Sequence, residues 1–169
     1  MASRPTAAQR RHAALRSALD EQLAALGDPP YSGPDLPAPV LSACARALLR
    51  AHRGGLTPHR PAVKAVVRAT LAELAARHPG QALEVRVPPY GAVQCLAGPR
   101  HTRGTPPGVV ETDPLTWTAL VVGEITWADS VASHRVSASG VRADLSPVLP
   151  LWPGPDGTPP RGSDPADSH

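Results

Sequence analysis

The five residues Leu83-Glu84-Val85-Arg86-Val87 alternate strictly between apolar and charged, which only a half-buried β-strand satisfies. Leu83, Val85 and Val87 point one way, Glu84 and Arg86 the other. Pro88-Pro89-Tyr90-Gly91 makes a turn, and residues 92–97 return as a second strand with Val93 and Cys95 on one face. A sheet with one apolar face needs a covering layer, so the rest of the chain is read as a search for that cover.

The cover must be built without phenylalanine. Aromatics make up only 3% of the 169 residues, so the core has to come from Val, Leu and Ala, with three Trp as large pieces. Residues 7–26 predict a helix with Leu15, Leu19, Leu23 and Leu26 in one stripe, stopped at Gly27. A proline-rich connector over 28–39 follows, with Tyr31 and Leu36 as its expected anchors. A second helix over 38–51 presents Val40, Leu41, Cys44, Leu48 and Leu49. A third is expected from a Thr57 cap to His78, lined by Val63, Val66, Val67, Leu71 and Leu74. His59 and His78 read as boundary residues of that helix.

After the second strand, Gly98 to Gly108 reads as a loop carrying Arg100, His101 and Arg103. The third strand is residues 109–112. Asp113-Pro114 caps and starts a helix over 115–122, which Gly123 closes. Thr126 and Asp129 form the looser acidic kind of capping box for a short helix to about Ser133. Residues 135–139 form the last strand, with Val136 and Ala138 on one face, and Ser146-Pro147 is expected to start a final helical turn through Leu151. The tail from Pro153 holds no large apolar residue and is expected to be disordered. The chain thus divides into an N-terminal helical extension with its connector (1–56), an α+β domain (57–152) and a tail (153–169).

Charge separates two halves. Residues 1–80 hold eleven Lys or Arg against five Asp or Glu, and residues 81–169 hold six against nine. Lys64 is the only lysine against sixteen arginines, a bias of GC-rich coding, and no arginine cluster is denser than Arg10-Arg11, so the basic half is taken as solvated helix faces with no nucleic-acid partner. Cys44 and Cys95 stand alone, with no metal-ligand spacing and no disulfide framework; both read as core residues, and no metal or cofactor is expected. Without a signal-like apolar start or a membrane-length run, a soluble cytoplasmic protein with no integral membrane segment is expected.

Nucleotide-binding glycine loops and the familiar hydrolase motifs are absent from the sequence. Glu111 and Asp113 are close enough for acid–base work, but Pro114 favours a capping role for Asp113. Arg100, His101 and Arg103 form the candidate anion-contacting loop, since flanking glycines let the backbone approach and arginine grips carboxylate or phosphate; the competing reading is a solvated loop. Trp117 and Trp127 are read as core. The chain is therefore expected not to be an enzyme.

The run from Val109 to Leu151, with Trp117 to Leu120, Gly123, Ala128-Asp129 and Arg135 to Gly140, resembles the second half of sterol carrier protein domains. With EVRVPPYGAVQCLAGPRHTRGTPP ahead of it, the resemblance is closest to bacterial sterol-carrier-like proteins of actinobacteria and covers roughly 60–152. It implies a mostly antiparallel five-stranded sheet with helices on one face and an apolar tunnel between them. Similar domains also act as accessory parts of mycothiol-dependent isomerase-like enzymes. The chain departs from lipid carriers in having no Phe, one Met and two added N-terminal helices.

On that resemblance the expected function is non-catalytic binding of a lipid or other small apolar ligand. The site would lie between the sheet face of Val85, Val87, Val93 and Val136 and the helix bearing Leu115, Trp117, Leu120 and Val121. Gly91, Ala92 and Ala138 would leave room, and Arg100, His101 and Arg103 would meet a head group. The alternative is an accessory or protein-interaction module with a closed cavity and no ligand. A thiol-linked enzyme using Cys44 or Cys95 ranks last.

Overall fold

The alternating pentapeptide is strand β1 (Leu83–Val87), and in the computed structural model, which describes residues 4–98 and 108–152, it lies inside the sheet. Its neighbours are β2 (Gly91–Cys95) and β3 (Gly108–Thr112), and β4 (Val136–Ser139) lies beyond β3, giving the order β2-β1-β3-β4. β1 pairs with β2 antiparallel and with β3 parallel, and β3 pairs with β4 antiparallel. The described residues thus hold four strands where the resemblance implies five, in a mixed sheet dominated by antiparallel pairing.

Register follows the expected faces. Val85 is level with Val93 on one side and Val110 on the other. Leu83, Val85, Val87, Val110 and Val136 are all buried, while Arg86, Gln94, Glu111 and Ser137 face solvent. On the bare face Arg86 donates to Glu84 at 2.7 Å. A slip of one residue would bury those charges, which fixes the pairing.

Five helices complete the described part: α1 (Ala7–Ala25), α2 (Pro37–Arg53), α3 (Arg60–Arg77), α4 (Pro114–Val122) and α5 (Trp127–Ala132). α3 packs on β2 and beside α4; α2 lies over both of these helices, and α1 lies over α2 and α3. The order of layers is sheet, then α3 with α4, then α1 with α2. One hydrophobic cluster runs through all three, from Leu15 on α1 to Leu151. α4 is apolar around its whole circumference, as a helix enclosed on several sides must be.

Local signals explain most boundaries. Asp113 caps α4 by accepting from the Leu115 and Thr116 N–H groups at 3.0 and 2.9 Å, and Gly123 closes the helix in the left-handed region at φ 77°. Thr126 caps α5 through the Asp129 N–H. Thr6 and Gln9 form a reciprocal capping box on α1.

Three expectations are corrected. Thr57 does not cap α3; the N-cap is His59, whose N–H donates to Gln22 Oε1 of α1 at 2.8 Å, so the cap comes from another helix. His59 also pairs with Glu21 at 2.7 Å. Ser146-Pro147 gives a single turn, closed by the Val148 and Leu149 N–H groups on the Leu145 carbonyl, and the turn does not run on to Leu151. This segment is a strap that sinks Leu145 and Leu151 into the core, held where Arg77 donates to the Leu151 carbonyl at 2.7 Å and the Trp152 N–H donates to the Val121 carbonyl. Of the two connector anchors only Tyr31 holds, under the Arg16 guanidinium and bonded through its N–H to Asp20; Leu36 is exposed. The expected disordered tail lies outside the described residues.

Candidate functional site

The side chains expected to line an apolar space between the sheet and α4 lie in one buried cluster. Val85, Val87, Trp117 and Val121 are each 0% exposed. A channel wide enough for an acyl chain would leave accessible surface along its lining, and these four side chains have none. Leu120 and Val136 are also buried in the same cluster, and Val93 is half-buried at the margin on β2.

Trp117 does most of the filling. Its indole passes from α4 to α3, where Nε1–H donates to Thr70 Oγ1 at 2.8 Å. Thr70 in turn donates to the Val66 carbonyl at 2.8 Å, so this buried hydroxyl satisfies the indole and is itself satisfied. The room expected from small residues is absent for three separate reasons. Gly91 is exposed at the end of β2, where a methyl group would only touch Leu71 Cδ1 at an ordinary 3.5 Å, so it opens no interior space. Ala92 is level with Arg86 and belongs to the bare face. Ala138 shares the inner face with Val110 but is exposed at the sheet edge.

Leu115 does not join this interior. It is half-buried on another side of α4 and lines an open groove of ≈ 390 Å³ between the C-terminal end of α2 and the α4–α5 connection. Leu49, Ala119 and Ile125 form its apolar part, with His52 and Arg135 at its margin. Sequence reasoning missed this groove. The residues come from four stretches of chain, and the only local signal was Arg135, a cation placed just ahead of an edge strand.

Arg100, His101 and Arg103, the candidate head-group contacts, lie outside the described residues. The cysteines do fall where expected. Burial pushes the Cys44 thiol up to about 12 and Cys95 up to about 11, so both stay protonated at neutral pH, the form that is a poor nucleophile. Asp113 is spent on its cap, also accepting from the Thr116 hydroxyl at 2.5 Å, while Glu111 faces solvent on the bare side of the sheet. Among the described residues no group of three or more His, Cys, Asp or Glu could hold a metal, and no helix is long and apolar enough to cross a membrane.

No curated protein matches the chain. A family model described as a bacterial SCP ortholog matches residues 59–151, which is more than half of the chain and takes in α3, α4, α5 and all four strands. The match begins at the cap of α3 and ends within the strap, so α1 and α2 lie outside the matched stretch. With a family model matching more than half its length, the chain belongs to this sterol-carrier-like bacterial family.

Proposed function

We propose that this protein is a non-catalytic accessory module of the sterol-carrier-like fold, one whose sheet–helix space is filled by its own side chains. The carrying observation is the complete burial of Val85, Val87, Trp117 and Val121 around the Trp117–Thr70 hydrogen bond. α1 and α2 support it, because they bury the outer sides of α3 and α4 and so oppose separation of that layer from the sheet. Such a module works through its surface, meeting a protein or small molecule without transforming it.

Membership of the family favours a second reading, binding of a lipid or other apolar ligand in that space. It requires α3 and α4 to part from the sheet and the indole–hydroxyl bond to break. Apolar contact at about 25 cal/mol per Å² would have to exceed the cost of undoing packing of the same kind. Native mass spectrometry of protein purified from its own cells separates the two readings. The closed-module reading expects the mass of the chain without a small apolar adduct. A stoichiometric apolar adduct released on unfolding would establish the carrier instead.

A further inference from the structure

The groove beside α4 has a distinct chemistry. Its floor is apolar: Leu49 is buried beneath it, and Leu115, Ala119 and Ile125 are half-buried along it. Its acidic groups are already engaged. Asp113 accepts the cap bonds of α4, and Glu124 is paired with Arg53 across the groove from α2. Its other cations are not engaged: among the described residues neither the Arg135 guanidinium nor the His52 imidazole has a hydrogen bond or ion pair. The groove's formal charges balance, Arg53 and Arg135 against Asp113 and Glu124, and what it offers is an apolar bed with one unpaired guanidinium at its edge. The Asp113 carboxylate is held by its cap bonds, and a guanidinium grips a carboxylate through two parallel N–H donors.

We infer that this groove binds a small amphipathic carboxylate, its apolar body on Leu115, Ala119 and Ile125 and its charged end on Arg135, with His52 as the second contact. Size limits the ligand. At roughly 30 Å³ for each water-sized unit, ≈ 390 Å³ admits about a dozen non-hydrogen atoms, a single ring or a short branched chain and not a long acyl tail. The site is separate from the sheet–helix interior, so its existence does not depend on whether that interior opens.

The probe is phenylpropionate, with phenylpropanol as its neutral counterpart, followed by amide chemical shifts and calorimetry on the full chain. The expected dissociation constant for the acid is on the order of 1 mM, about fivefold tighter than for the alcohol. Shifts should centre on Ala119, Ile125 and Arg135, with Trp117 emission unchanged. Arg135→Ala should remove the preference for the acid while leaving the alcohol as it was. Arg135 is exposed, so this variant should fold, and the shifts of the unaltered protein test the site without any variant. Equal affinity for acid and alcohol, a preference that survives Arg135→Ala, shifts centred elsewhere, or no saturation by about 10 mM would each overturn the inference.

Discussion

The sheet–helix interior and the surface groove are lined in large part by different sides of one helix of nine residues, α4. Toward the interior α4 presents Trp117, Leu120 and Val121, and the space is full. Toward α2 it presents Leu115 and Ala119, and a groove stays open. Both sides are apolar, so hydrophobicity does not separate them; side-chain reach does. An indole that finds a hydroxyl on the facing helix closes a gap that a methyl group cannot. In this family member, which side of α4 stays open is set by where its one large residue points.

The comparison is tested most severely by Trp117→Ala, which should cost about 3–5 kcal/mol of stability in urea unfolding, since it leaves a cavity among residues that cannot collapse to fill it. A loss below about 1 kcal/mol would mean that the interior is loosely packed and the contrast with the groove is false. Next is Thr70→Val, which keeps the volume but strands the indole N–H. It should cost about 1–3 kcal/mol, with Thr70→Ser recovering most of it. Gln22→Ala tests the outer layer. It removes the acceptor for the His59 N–H and should cost about 1 kcal/mol in the same assay. The smallest effect belongs to the groove: Arg135→Ala should leave stability within about 0.5 kcal/mol of the original, because its guanidinium supports nothing in the fold.

A pH series sharpens the same contrast. Burial raises Cys44 from its ordinary 9.0 to about 12, so the folded state holds that proton more tightly than the unfolded state. Its contribution is fully present below pH 9 and is lost as pH rises toward 12. Melting temperature should therefore fall across this window, and Cys44→Ala should fall less steeply than the unaltered chain. Parallel slopes would place Cys44 in contact with water.

Much of this arrangement was legible in the sequence, because its determinants are local. The alternation of Leu83–Val87, the Asp113-Pro114 start and Gly123 stop of α4, and the leucine stripe of α1 each depend on a few consecutive residues. The failures share a non-local cause. The cap of α3 is a glutamine 37 positions away, and beyond its Ser146-Pro147 turn the strap takes its form from Arg77 and Val121. Filling of the interior was also illegible. Gly91 reads as interior space in one dimension, and only the fold places it at the exposed end of β2. Likewise the groove assembles from four separated stretches, none of which carries a motif.

The central claim, that the sheet–helix interior is closed, is tested most directly by following Trp117 emission during titration with fatty acids and acyl thioesters. Replacing Trp127 and Trp152 by Phe isolates that one indole. The account predicts no saturable change below about 100 μM, a threshold near −5.5 kcal/mol. A saturable shift in that range, abolished by Val93→Phe at the margin of the interior, would contradict it and show that the layer of α3 and α4 opens to admit an apolar chain.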